Sequence, residues 1–139
     1  MGAKSNILDD PQMKEFYDFL IENYSSNKST VMTIVYAMHK LLMTGKDPDD
    51  LPISTRSKSV YRKAKRLWDD FQAYKRVNPA PLVSKVRHSG AVKESRLKSS
   101  LRNVFKNERE YRMAVLKAIN QGRVFVNFAE DDPRLIYVD

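Results

Sequence analysis

Apolar residues recur along this chain at helical spacing, and four stretches carry the pattern. Asp10-Pro11 supplies an N-cap followed by proline at the first helical position. Met13, Phe16, Leu20 and Tyr24 then fall on one stripe, predicting an amphipathic helix over 11–24. A polar turn at 25–29 follows, and Ser29 or Thr30 is the expected cap of a second helix. Its apolar face is Val31, Ile34, Val35, Met38, Leu41 and Leu42, and Gly45 with Lys46-Asp47-Pro48 ends it. From Thr55 to Tyr74, Val60, Ala64, Leu67, Phe71 and Tyr74 recur at steps of four and three, one stripe of a long helix. Projected at about 100° per residue, Lys58, Arg62, Lys65 and Arg66 fall opposite that stripe. Trp68 lies at its margin, and Asp69 and Asp70 interrupt the basic face.

Asn78-Pro79-Ala80-Pro81 stops this helix, because each proline lacks an amide donor and restricts the residue before it. The following stretch, with Lys85, Arg87, His88 and Gly90, shows no period and is read as a mobile basic linker over 78–92. A further helix is expected from Lys93 to Phe105, with Leu97, Leu101, Val104 and Phe105 inward. Asn107 with Glu110 forms a capping pair for a helix reaching Gly122. Arg123–Phe128 and Arg134–Val138 alternate and are rich in valine and aromatic residues, with Ala129–Pro133 between them, which predicts a hairpin. A hairpin alone is marginal in water, so it must pack on a helix or pair with another chain. The expected fold is therefore mainly α. It is a small helical bundle over 1–77, then the linker, then a helical segment with a C-terminal β-hairpin over 93–139.

Composition narrows the function. The 139 residues are 42% hydrophobic and 30% charged, enough for a packed core, and no apolar run is long enough to span a membrane. The first residues lack the apolar stretch of a signal peptide, and Asn6 stands where myristoylation needs a hydroxyl. With no cysteine, disulfides, thiolate metal sites and cysteine nucleophiles are excluded. The expected location is intracellular: cytoplasm, nucleoid, or a host cell if the chain is viral.

The net charge of +8 is unevenly placed. Residues 51–123 hold 19 basic and 5 acidic groups, whereas 1–50 and 124–139 are each slightly acidic. A basic block between acidic ends points to a polyanion, most often nucleic acid. Arginine offers bidentate bonds to guanine edges and phosphates, and lysine a point charge. Partner acids for the long basic helix are mostly absent from its own sequence, which favours a bound anion. Ser54, Thr55, Ser57 and Ser59 at its start add hydroxyl donors. The expected DNA contacts are Arg56, Lys58, Arg62, Lys63, Lys65 and Arg66 on the long helix. Lys85, Arg87, Lys93, Arg96, Lys98 and Arg102 extend them beyond it.

Catalytic constellations are scarce. His39 and His88 have no neighbour at ligand spacing; a packing role suits His39 and a solvated one His88. No phosphate-cradling loop or dinucleotide fingerprint is present. Asp47, Asp49 and Asp50 do not continue into a calcium loop, since Pro52 and Lys58 stand where glycine and glutamate are needed. Glu130-Asp131-Asp132 reads as a solvated turn. No cofactor, metal, membrane partner or small-molecule substrate is expected, and no enzymatic activity.

Residues 11–80 resemble the core-binding, SAM-like domain of tyrosine recombinases, the phage-type integrases. The first helix carries Phe16-Tyr17-Asp18-Phe19-Leu20, and the second follows Ser29-Thr30 and carries Tyr36. The third reads Ser59-Val60-Tyr61-Arg62-Lys63 with Trp68 and Phe71 behind it, and Asn78-Pro79-Ala80 leads out. The family's catalytic domain uses a His-x-x-Arg pair and a tyrosine nucleophile. Neither histidine here is followed by such an arginine, and 59 residues after Ala80 are too few for that domain. The resemblance implies duplex DNA binding without strand exchange. The alternative is an interaction adaptor of viral or mobile-element origin that self-associates through its C-terminal helix and hairpin.

Overall fold

The computed structural model describes residues 6–139. The expected mainly helical bundle with a C-terminal hairpin is present: these residues form six α-helices and three short strands. The described residues divide into two compact units between Phe71 and Gln72, inside one helix.

In the first unit, α1 (Pro11–Asn23) starts where the Asp10 carboxylate accepts from the amide of Gln12. Met13, Phe16, Phe19 and Leu20 are buried, while Tyr24 lies past the helix and is exposed. The second helix, α2 (Lys28–Thr44), begins earlier than expected. The Asn27 side chain, not Ser29 or Thr30, accepts from the Thr30 amide and caps it. Its buried face is Val31, Ile34, Val35, Met38 and Leu41 as the spacing requires, but Leu42 faces solvent. Gly45 closes the helix in the left-handed region at φ 66°, where a side chain would be strained. A 3-10 turn at Pro48–Asp50 leads to α3 (Thr55–Arg76), where the Ser54 hydroxyl accepts from the Ser57 amide.

Ala64, Leu67, Trp68 and Phe71 on α3 are buried, and the tryptophan is core rather than margin. Phe16 meets Trp68 edge-to-face at 5.0 Å and Phe71 at 5.6 Å, and Phe19 meets Phe71 at 5.2 Å. Such pairs add roughly 0.5–1.5 kcal/mol each beyond area burial, which makes this aromatic cluster the anchor of the first unit. Asp70, expected on the basic face, is buried instead.

The second unit holds the main departure. The stretch read as a mobile linker is α4 (Ala80–Ser89) followed by strand β1 (Ala91–Lys93). Its prolines do end α3, but Pro81 sits in the first turn of the next helix. There a missing amide donor costs nothing and a fixed φ helps. Leu82, Val83 and Val86 supply the buried stripe. Gly90 turns the chain at φ 77°.

Helix α5 (Glu94–Ser100) is shorter than the 93–105 expected. Leu97 and Leu101 are buried, but turns follow Ser100 and leave Val104 exposed. The Asn107 side chain accepts from the Glu110 amide and starts α6 (Glu108–Asn120). The expected strands are β2 (Val124–Asn127) and β3 (Arg134–Tyr137), antiparallel with Val126 opposite Leu135. They do not stand as a hairpin alone. β1 pairs antiparallel on the other side of β3, Ala91 opposite Ile136, giving the order β1-β3-β2. Leu135 and Val124 are buried on the inner face, with α4 packed on β3 and α6. Phe125, one position along the strand, points to the opposite face and is exposed.

Candidate nucleic-acid interface

All twelve cations expected to touch DNA reach solvent, and only Lys58 is half-buried. In the first unit Lys58, Arg62, Lys65 and Arg66 fall on the side of α3 away from Ala64, Leu67 and Phe71, while Arg56 and Lys63 lie nearer the apolar stripe. Contrary to the sequence reading, the fold gives several of them partners. Arg62 is paired with Asp49 of the 3-10 turn, its Nε donating to Oδ1 at 2.8 Å. Lys58 Nζ donates to the Asp49 carbonyl at 3.1 Å. Lys65 pairs with Asp69 one turn on at 2.7 Å, and Lys63 lies 5.7 Å from the Tyr24 ring centroid. Asp49 was invisible as a partner because thirteen positions and a turn separate it from Arg62. Among the described residues Arg56 and Arg66 make no ion pair. These exposed pairs are worth about 0–1 kcal/mol each, so a polyanion can displace them at little cost.

In the second unit, Lys85 and Arg87 stand on α4, Lys93 in β1, Arg96 and Lys98 on α5, and Arg102 in the turn after it. They are held by helices and a strand, not by a mobile segment. Lys98 pairs with Glu108 at 2.6 Å and holds that carboxyl below its usual range. The Arg87 guanidinium lies 5.8 Å from the Tyr137 ring. Among the described residues Lys85, Arg96 and Arg102 have no ion-pair partner.

The acidic C-terminal turn is not simply solvated. Asp132 accepts from the Ser95 amide at 3.1 Å and from its hydroxyl at 2.5 Å, which lowers the Asp132 pKa and fixes the start of α5. Lys117, which the sequence did not single out, donates from Nζ to the carbonyls of Tyr74 at 3.0 Å and Val77 at 3.1 Å. It thereby caps the C-terminal end of α3. Arg76 there pairs with Glu110 at 2.9 Å and depresses that carboxyl.

His39 is half-buried, as expected of a packing residue. It lines a hollow of about 630 Å³ between α2 and α3 with Tyr36, Lys40, Ser57 and Tyr61. His88 is exposed. Among the described residues no three His, Asp or Glu side chains converge as a metal site, and no helix is long and apolar enough to cross a membrane. Tyr111 is buried, and its hydroxyl donates to Glu94 at 3.1 Å. Burial, then that carboxylate, pushes its pKa well above the usual phenol range.

Missed from the sequence altogether was a concave surface around Phe105, Lys106 and Tyr111. Phe105 was expected inside a helix, and no periodic signal marks the turn that carries it. Comparison with protein-family models, curated proteins and solved structures finds no match to this chain.

Proposed function

We propose that this chain is a non-catalytic DNA-binding protein that contacts duplex phosphates through the exposed cations of α3 and, in the second unit, of α4 and α5. The observation that carries the reading is the set of charges the fold leaves unused. Arg56, Arg66, Lys85, Arg96 and Arg102 are exposed and make no ion pair among the described residues. A net charge of +8 repels itself in the compact state, and a polyanion relieves that repulsion. The resemblance of residues 11–80 to an integrase core-binding domain is consistent with this role.

Retention of the pure protein on immobilised duplex DNA across a salt series is the test. Neutralised phosphates make log affinity fall linearly with log salt, by about 0.9 per contact. Elution at a salt concentration no higher than from an uncharged matrix overturns the reading.

One observation favours a second reading, an interaction adaptor that self-associates through its C-terminal hairpin. β2 is an edge strand, with Phe125 49% and Phe128 77% exposed beside it. An apolar interface of that kind is far less sensitive to salt than phosphate binding, so the same series separates the two.

A further inference from the structure

The turns after α5 lay Phe105 against Tyr111, ring centroids 6.3 Å apart and planes at 67°. Around the pair opens a hollow of about 250 Å³, bordered by Lys98, Arg102 and Lys106 and floored by Leu101. Phe105 is half-exposed and also borders a second hollow of about 280 Å³, shared with Arg76, Asn78 and Val104. The only carboxylate lining the first hollow, Glu108, is already bonded to Lys98. The surface thus combines an accessible aromatic ring, an apolar floor and a surplus of cations, with Arg102 unpaired among the described residues.

We propose that this hollow holds an unpaired nucleobase of a DNA strand, stacked on Phe105, with the neighbouring phosphates on Arg102 and Lys106. The inference rests on the polyanion reading above and adds the form of nucleic acid taken at this place. Phosphate alone needs no aromatic wall. A paired base keeps both faces inside the duplex stack and offers none to a phenyl ring, whereas an unpaired base does. The volume fits one flat base and lies below the roughly 300–1,000 Å³ of sites that enclose a whole small molecule. The second hollow, beyond the same ring, gives the strand a place to continue.

Fluorescence anisotropy with a blunt duplex and with the same duplex bearing a short single-stranded thymidine overhang tests the proposal. Stacking on one aromatic ring predicts that the overhang probe binds at least about fivefold more tightly. Phe105→Ala abolishes that gain and leaves blunt-duplex affinity unchanged, while Phe105→Tyr retains it. Exchanging both Arg102 and Lys106 for glutamine flattens the salt dependence of the overhang probe. Should Phe105→Ala fail to fold, 5-iodouracil placed in the overhang reads ring contact on the wild-type protein through near-ultraviolet crosslinking to Phe105. Equal affinity for both probes, or the absence of a crosslink at Phe105 in the bound complex, overturns the proposal. Blunt-duplex binding without overhang gain sinks this inference alone. Overhang binding without blunt-duplex binding sinks the duplex reading and leaves this one standing.

Discussion

Nε of Arg62 donates to Oδ1 of Asp49 at 2.8 Å, so a cation that looks free along the helix is neutralised by a turn earlier in the chain. The pair is exposed, and its loss should cost less than about 1 kcal/mol. Asp49→Asn is therefore expected to leave the melting temperature nearly unchanged while delaying elution from duplex DNA. Arg66→Ala should lower the salt slope by about one, and Arg62→Ala by less, because Arg62 must first exchange one anion for another. Equal slopes in all three variants and the wild type would remove this face of α3 from the interface.

The aromatic cluster of the first unit gives a direct stability test. Leu67→Ala or Phe71→Ala is expected to destabilise by roughly 2–5 kcal/mol through lost burial and a residual cavity. Trp68, the single tryptophan, lies within that cluster and reports urea unfolding by fluorescence.

Lys117 spans the carbonyls that end α3, and its ammonium sits where the helix dipole is negative. Lys117→Met keeps the stem and removes the donors, so a loss of about 1–2 kcal/mol is expected in chemical denaturation. An arginine at the same place should restore part of it.

Acid should weaken the second unit. Hydrogen bonds from Ser95 hold Asp132 below its ordinary value, and Lys98 and Arg76 do the same for Glu108 and Glu110. Carboxyls whose folded pKa is depressed lend stability that is complete above their unfolded values. It is lost as pH falls below about 4.5 and through the lower folded values. Urea midpoints measured from neutral pH down to roughly pH 3 should fall over that range. In Asp132→Asn they should fall less steeply, from a lower starting point.

Tyr137 is the last residue of β3. Its strand amide donates to the Gly90 carbonyl at 2.9 Å, and its ring lies beside Arg87, half-buried in the sheet. A phenol needs a base and a preorganised cationic clamp to attack phosphate, and one guanidinium beside the ring face is neither. Incubation with nicked suicide duplexes should yield no covalent adduct on a denaturing gel. An adduct that vanishes in Tyr137→Phe would establish a catalytic role.

Long, strongly periodic elements were legible in the sequence. α1, α2, α3 and α6 and both hairpin strands lie within a few residues of their expected places, because a continuous apolar stripe outweighs local propensity. What escaped was short or non-local. Four polar or basic residues in the middle of α4 masked the stripe of Leu82, Val83 and Val86, and two prolines read as a break rather than a restart. β1 has three residues, too few to show alternation, and exists only because β3 accepts it. The chemistry around the cations divides in the same way. The solvent-facing side of Arg62, Lys65 and Arg66 followed from helical phase, but the partners of Arg62 and Lys98, Asp49 and Glu108, are brought in by turns that no spacing rule specifies.

The position of β3 has a consequence in time. It is the central strand, yet it follows β1 only after two helices and β2, so Ala91 must find Ile136 across most of the second unit. The aromatic cluster of the first unit is no more local, since Phe16 and Trp68 stand farther apart in the sequence than Ala91 and Ile136. Folding rates fall as contacts become less local, so the β1–β3 pairing should form late, after the hairpin of β2 and β3. During that interval β1 is without a neighbour, and a refolding chain exposes both its edge and the edge of β3 that it will cover. Slow dilution or low protein concentration should therefore raise the refolding yield more than any change of salt.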